Sequence, residues 1–355
     1  MHRRHAVAQD EKYNMTLVEH KVSVVIPAYN QPDYLRRALQ STVDQVHRPI
    51  EVIVSDDCSP IFLEPVVEEF LASRIDGLTV KFFRQSRNLG IMDNFRFAVE
   101  QATGKYLVPF AHDNRFIDRA FLAEAAHLMH TTPACHLCIA NSVYENSDRE
   151  MLEIPESLGT QNGWAILGGG EFIRLYRRGG LDWTQAIVLD HEMALSLNAY
   201  DEPFVVNRPL ARRLNSGEDN VCAYVFILSS VGSVAVTGKC TCEIGTPKES
   251  YSRSDPAWAQ TKKKVKFVVF YNLHRADLKG EHAPEVKRMA FKQALDYVDH
   301  ICDMRIAQYY SYHIGFLSLV ILSLLRKPWI KLRYYFKRKM GKNPLTGKRF
   351  KKVRG

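Results

Sequence analysis

The chain has 355 residues, 46% of them hydrophobic and 25% charged, which excludes disorder as its default state and leaves room for one large domain with appendages or for two domains. Its formal charge of +9 is uneven: residues 326–355 hold thirteen Lys or Arg and no Asp or Glu, and removing those thirteen charges leaves the rest of the chain at −4. A mildly acidic body without a nucleic-acid motif argues against nucleic-acid binding as its task.

The first twenty residues contain no apolar segment of the secretory type, so a loosely ordered leader is expected there. "VSVVI" (22–26) and "IEVIVS" (50–55) are short, β-branched apolar runs and predict buried strands. Between them Leu35, Ala38, Leu39, Val43 and Val46 recur at helical spacing after Pro32-Asp33, giving a βαβ unit. A helix over 62–73, a strand "LTVKFF", a helix over 91–102 and a strand "KYLVPF" (105–110) continue the alternation, which implies a mainly parallel sheet with its ligand site at the strands' carboxyl ends. A helix over 117–130 and a strand "CHLCIANSVYE" come next, and 145–170 reads as a polar connection. "DWTQAIVLDHEMALSLNAYDEPF" then reads as strand and helix, with His191 a helix-start residue, "GEDNVCAYVFILSSVG" as a helix and "SVAVT" as a last strand. Residues 256–312 are largely helical by periodicity, and "IGFLSLVILSLL" (314–325) is followed by a basic, aromatic stretch.

The first βα turn, "PAYNQP", lacks G-x-G-x-x-G, and no Walker A sequence is present, which removes the main support for a dinucleotide cofactor or a P-loop. "LGGGEF" (167–172) can either cradle an anion or be an ordinary loop. Seven cysteines scattered over the chain suit reduced thiols. Cys135-x-x-Cys138 with Cys240-x-Cys242 could supply four zinc ligands, although the second spacing is unusual, and buried thiols are the alternative.

The order of the polar clusters is more telling: Val22 to Asn30, then Asp56-Asp57-Cys58-Ser59, then Asn88-Leu89-Gly90 with Asn94, then Gly104-Lys105-Tyr106 leading to His112-Asp113-Asn114. This series resembles the inverting glycosyltransferases of family 2, strongly over about 21–120 and more loosely over 181–237. The resemblance implies a GT-A fold, an α/β architecture with a Rossmann-like nucleotide-binding half. By the same resemblance Pro27, Ala28, Tyr29 and Asn30 line the nucleotide pocket, and Asp57 accepts the ring N–H of a pyrimidine base such as that of UDP. Arg87, Asn88, Gly90 and Asn94 fall on the diphosphate and sugar side. Asp56 and Asp57 can equally form a solvated turn with Ser59 and Pro60.

His112-Asp113-Asn114 falls where the family has its Asp-x-Asp metal motif, thinned here because Ala111 replaces the first aspartate and Asn114 the last. Asp113 and the Asn114 amide then hold Mg2+ or Mn2+, with His112 beside them on the nucleotide side. A helix cap by Asn114 or Asp118 is the plainer alternative. In "NSGEDN" the resemblance makes Asp219 the base for the acceptor hydroxyl and Glu218 its neighbour, although acidic residues in a first turn also complement the helix dipole.

The expected organisation is a leader (1–20), a GT-A domain (21–240), a helical region (241–312) and an apolar, then basic, tail (313–355). Twelve apolar or small residues are too few to span a bilayer, so 313–340 is expected to lie on the cytoplasmic face of a membrane. Such an enzyme would act on a glycan or polyprenyl-linked acceptor. A non-catalytic scaffold that binds nucleotide sugars and a nucleotidyltransferase are the alternatives.

Overall fold

The computed structural model describes residues 20–72, 75–146, 160, 163–173, 186–200, 220–247, 280–284 and 325. The chain divides into two compact units; the first comprises Met1–Pro256 and His274–Met289 and holds every described residue except 325. Most of the expected helices of 241–312, and the tail, lie outside the described residues, as do Glu218 and Asp219.

β1 (Val22–Ala28), α1 (Pro32–Val43), β2 (Ile50–Asp56), α2 (Glu64–Leu71), β3 (Leu78–Arg84), α3 (Ile91–Glu100) and β4 (Tyr106–Pro109) follow one another as the hydrophobic periodicity predicts. β5 (Arg115–Phe116), α4 (Phe121–Thr131), β6 (Cys135–Tyr144), β7 (Ala165–Gly168), β8 (Ile187–Asp190), α5 (His191–Ser196), α6 (Asn220–Val231) and β9 (Ser233–Ile244) complete the described elements. The sheet order is β3-β2-β1-β4-β8-β6-β9-β5, with β7 paired to β9.

The first four strands are parallel, because each returns through a helix. β1, β2 and β4 are buried nearly throughout, as strands covered on both faces are, while the edge strand β3 is only partly covered. Beyond β4 the sheet is mixed, so it is mainly but not wholly parallel: β8 is antiparallel to β4 and β6, and β9 is parallel to β6 but antiparallel to β5 and β7. β9 also runs on to Ile244, well past "SVAVT".

Two buried polar arrangements hold the parallel half together. Glu51 on β2 accepts from Ser23 Oγ at 2.5 Å, Thr103 N at 2.5 Å, Thr103 Oγ1 at 2.9 Å and Lys81 Nζ at 3.0 Å. Burial pushes the Glu51 carboxyl upward, but these donors outweigh it and leave its pKa below the ordinary value. On α3, Asn94 is buried and both ends of its amide engage Ser55, Nδ2 donating to the carbonyl at 2.8 Å and Oδ1 accepting from the hydroxyl at 2.6 Å.

The start of "LGGGEF" is not a loop. Gly168 ends β7 and Gly169 opens a helical stretch, where an added Cβ would stand 1.6 Å from the Ser229 carbonyl oxygen of α6. This glycine lets two backbones touch. Cys135 and Cys138 lie buried on β6, with their thiols directed to the Leu137 and Ala125 carbonyls. Cys240 and Cys242 lie on the adjacent β9, opposite Asn141 and Ser142. Among the described residues no three His, Cys, Asp or Glu side chains gather in an arrangement that holds a metal.

Candidate functional site

The carboxyl ends of β1, β2, β3 and β4 come together, and the bonds that join them are mostly from side chain to backbone. After β1 the chain turns through Asn30 and Gln31, both with positive φ (58° and 62°), before Pro32 starts α1. Neither residue is glycine, so the turn costs energy, about 1 kcal/mol or more for each. Ser59 pins it: its Oγ accepts from Asn30 N at 2.8 Å and donates to Asp56 Oδ1.

The adjacent aspartates of β2 have separate roles. Asp56 is fully buried, accepting from Ser59 N at 3.0 Å and pairing with Arg84 at 2.5 Å. Arg84 also donates to the Ser59 carbonyl at 2.8 Å and lies 4.7 Å over the Phe62 ring. Asp57 faces the next turn. Its N–H donates to the Ala28 carbonyl at 2.9 Å, while its carboxylate accepts from Leu89 N at 2.6 Å and Gly90 N at 3.0 Å. Burial raises the Asp57 pKa; the two N–H groups pull it down only in part, and Asp56 and Asp93 add to the rise. A carboxylate has about four lone-pair positions, so two remain for a ligand donor.

Gly90 has φ 85° and stands at the N-cap of α3, a conformation that L side chains rarely adopt. Arg87 and Asn88 are exposed beside it, and Asn88 reaches back to the Asp57 carbonyl at 3.3 Å. The structure thus brings Pro27, Ala28, Tyr29, Asn30, Asp57, Arg87, Asn88 and Gly90 to one edge of the sheet. Asn94 sits underneath, committed to Ser55. Tyr29 is 42% exposed and Phe62 66% exposed, which gives this edge an aromatic rim.

The fourth strand end carries His112, Asp113 and Asn114. Pairing of β1 with β4 ends at Val25, whose carbonyl takes Phe110 N at 2.9 Å. Two residues on, the same side of β1 is met by the His112 side chain, which is hydrogen-bonded to the Pro27 carbonyl. Pro27 has no N–H to lose there, so a proline is tolerated in a central strand. Burial pushes the His112 imidazole pKa down and the neighbouring Asp113 carboxyl up.

A clamp not foreseen from the sequence flanks this turn. Arg37 of α1 pairs with Glu145 at 2.6 Å and Glu243 at 2.9 Å, Arg115 pairs with Glu243 at 2.7 Å, and Tyr34 donates to Glu145 at 2.8 Å. Burial acts to raise the Glu145 pKa, but Thr246 N, Arg37 and Tyr34 bring it to about 2. Glu145 in turn helps to hold Asp113 up. Gly245 lets the Asp113 carbonyl approach, since a Cβ there would lie 2.0 Å from its oxygen. These partners lie 108 and 206 residues apart in the chain, so no local pattern announces them.

As donors for a cation, Asp113 offers one partly exposed carboxylate, and Asn114, whose side chain is buried, an amide carbonyl oxygen. A hard divalent ion accepts such oxygens when phosphates and water complete its shell, so the residues fit Mg2+ or Mn2+ in the company of a diphosphate. His191, by contrast, is buried, with Nδ1 2.8 Å from the Tyr200 hydroxyl and a bond to the Ala102 backbone, and starts α5 behind its cap Asp190.

Comparison with known proteins agrees with this geometry. Residues 23–181 match the model of the glycosyl transferase family 2. An uncharacterized protein of Mycobacterium tuberculosis is 29% identical over 132 residues, covering 36% of this chain and 38% of that protein. The GalNAc(5)-diNAcBac-PP-undecaprenol β-1,3-glucosyltransferase of Campylobacter jejuni is 28% identical over 100 residues, 28% of this chain and 32% of that protein. The chain therefore spans well under half the length of these curated relatives. Among solved structures, TarS 1–349 of S. aureus in complex with UDP-GlcNAc superposes with a TM-score of 0.54 at 15% identity, over 90% of this chain and 81% of that one. That likeness shows the fold, GT-A.

Proposed function

From the premise that residues 23–181 are a glycosyl transferase family 2 domain, we propose that the protein transfers one sugar from a nucleotide-diphosphate sugar to a glycan or lipid-linked saccharide, with inversion at the anomeric carbon. The observation that carries this reading is the tying of three strand ends, those of β1, β2 and β3, around Asp57, which builds a polar, partly buried edge where the Rossmann-like half of such a fold takes its ligand. Two free lone-pair positions on Asp57 suit the N–H of a pyrimidine, and the relative in complex with UDP-GlcNAc supports a uridine donor.

Asp113 and Asn114 would hold a divalent cation against the diphosphate. When bound, that ion offsets the charge growing on the leaving group. Asp219, with Glu218 beside it, would take the proton of the acceptor hydroxyl as it attacks the anomeric carbon. The apolar stretch followed by the basic, aromatic tail supports a peripheral position on the cytoplasmic face of a membrane, and with it a polyprenyl-linked acceptor. The substitution of Ala111 for a motif aspartate favours one second reading, a scaffold that binds nucleotide sugars without turning them over.

The test is a thermal-shift screen of UDP-, GDP- and TDP-sugars with Mn2+, followed by donor-consumption assays. A ligand at 100 times its dissociation constant adds about 2.7 kcal/mol of stability. Turnover that is lost in Asp113→Ala and in Asp219→Asn, with donor binding kept in the latter, supports transfer. Binding without turnover in the unaltered protein supports the scaffold, and no shift with any donor refutes both.

A further inference from the structure

The order of the sheet ends on β5 at one side and on β3 at the other, and the two ends are guarded differently. β5 is two residues long and offers too little backbone to be paired further. β3 runs for seven residues in unbroken register with β2 and contains neither bulge nor proline.

Two bonds fix which backbone groups of β3 face outward. Ile50 N donates to the Gly77 carbonyl at 2.8 Å, and Gln85 N donates to the Asp56 carbonyl at 2.8 Å. Backbone groups alternate sides along a strand, so those of Thr79, Lys81 and Phe83 serve β2, while those of Val80, Phe82 and Arg84 point away from the sheet. Leu78 faces outward too, but its N–H is taken by the Ile75 carbonyl at 3.1 Å. Among the described residues nothing takes up the N–H or C=O of Val80, Phe82 or Arg84.

The side chains hold this strand in place without screening its edge. Leu78, Val80 and Phe82 pack on the core, and Phe83 meets the Phe97 ring edge-on at 5.4 Å. Charged side chains commonly guard an edge strand, yet both charges here are spent inward. Lys81 Nζ donates to Glu51 at 3.0 Å and to the Gln101 carbonyl at 3.3 Å, and Arg84 pairs with the buried Asp56.

We propose that β3 is an interaction surface that pairs antiparallel with β3 of a second copy of this chain, about a two-fold axis at Phe82. The backbone pattern selects both the occupant and the register. With Phe82 opposite Phe82 of the second copy, Val80 stands opposite Arg84 and Arg84 opposite Val80, and the N–H and C=O of all three residues are matched in both copies. A register centred on Lys81 leaves the Arg84 carbonyl unpaired, because the Leu78 N–H that would face it is already used, and it sets Lys81 against its own copy. Centring on Phe82 sets Lys81 across from Phe83 instead, a cation beside an aromatic ring. Antiparallel pairing places the carboxyl ends of the two parallel halves at opposite ends of the joint sheet, so neither donor edge obstructs the other. The inference stands apart from the glycosyltransferase reading.

The experiment is sedimentation equilibrium of the full chain over a concentration series, in a nonionic detergent that keeps the apolar stretch 314–325 from associating. A monomer–dimer equilibrium is expected. Val80→Pro removes an N–H that faces outward and serves no bond within the described chain, a position where an edge strand tolerates proline. Its melting temperature checks the fold, and the dimer should dissociate about tenfold more readily, or more, since each copy loses one bond of the ladder. Thr79→Cys/Gln85→Cys is the second variant. In the Phe82 register these positions face each other across the pair without a hydrogen bond, with Cα atoms about 4.5 Å apart, within reach of a disulfide. Diamide, which takes up the two thiol hydrogens, should then give a covalent dimer that neither single variant gives.

A chain that stays monomeric throughout the series overturns the proposal and leaves the edge to an unlike strand. A dimer unmoved by a folded Val80→Pro overturns it as well, because the contact then lies elsewhere. Should Val80→Pro fail to fold, the cysteine pair decides alone: a covalent dimer confined to the double variant supports the pairing, and its absence, or equal yields from the single variants, refutes it.

Discussion

Removing the Asp57 carboxylate should loosen the site before any donor is added. In Asp57→Ala the N–H groups of Leu89 and Gly90, at 2.6 Å and 3.0 Å from its oxygens, lose a charged acceptor. Bonds to a charged group contribute about 1.5–3 kcal/mol each. Two effects reduce the sum: the turn is partly open, so water replaces some of the loss, and the variant is relieved of the burial and of the repulsion from Asp56 and Asp93 that hold the Asp57 pKa up. A net cost of about 2 kcal/mol remains, which in a domain of this size lowers the melting temperature by roughly 4–8 °C. Asp57→Asn keeps one carbonyl acceptor and should lose about half as much. Differential scanning fluorimetry of the three proteins, with urea melts to convert midpoints to free energies, measures this directly. A melting temperature for Asp57→Ala within about 1 °C of the unaltered protein would refute the idea that Asp57 ties the β2 end to the 88–90 turn.

Two further outcomes follow from the buried features of the sheet. Glu51→Gln should cost about 3 kcal/mol, since it breaks a buried pair with Lys81 and turns one acceptor into a donor facing donors. Because the folded Glu51 pKa lies below its ordinary 4.5, its contribution is complete above that value and is lost as the pH falls through the lower folded value. Acid denaturation curves should therefore lose part of their slope below pH 4.5 in the variant, and an unaltered slope would show that Glu51 does not carry it. Gly169→Ala puts a Cβ 1.6 Å from the Ser229 carbonyl oxygen, so β7 and α6 must separate; a loss above about 3 kcal/mol in denaturant melts is expected, and a near-neutral result would show that the contact between the two backbones is not tight.

The parallel half of the fold was legible because its signals are local. β1 and β2 are unbroken apolar runs, Leu35, Ala38 and Leu39 mark one face of α1, and the polar residues fall where each run stops. The same logic could not reach the direction of the later strands, since β8 and β6 are apolar runs too and nothing in such a run records which way it runs. Asp57 and Gly90 could be suspected from their places at strand ends. That Asp57 holds Gly90, or that Asp56 is turned inward onto Arg84, could not, because adjacent aspartates look alike until the turn decides which way each faces. Asn94 shows the opposite case. A polar residue in the first turn of α3 reads as a ligand contact, and its amide also makes two bonds to Ser55 that the sequence did not announce. The Arg37, Glu145 and Glu243 clamp depends on three elements that meet only after the sheet has formed.

The ties among the strand ends also count residues. Ser59 meets Asn30, Asp57 meets Leu89 and Gly90, and the Asp57 N–H meets Ala28, each through one side chain or one backbone group at a set position in its loop. Inserting or deleting a single residue in any of the three loops would move a donor away from its acceptor and undo the others with it. Lengthening is therefore closed to these loops as a route to a new donor preference. Change has to come by exchange of side chains along the exposed rim, at Tyr29, Phe62 and Arg87, where the sheet places no such demand on the backbone.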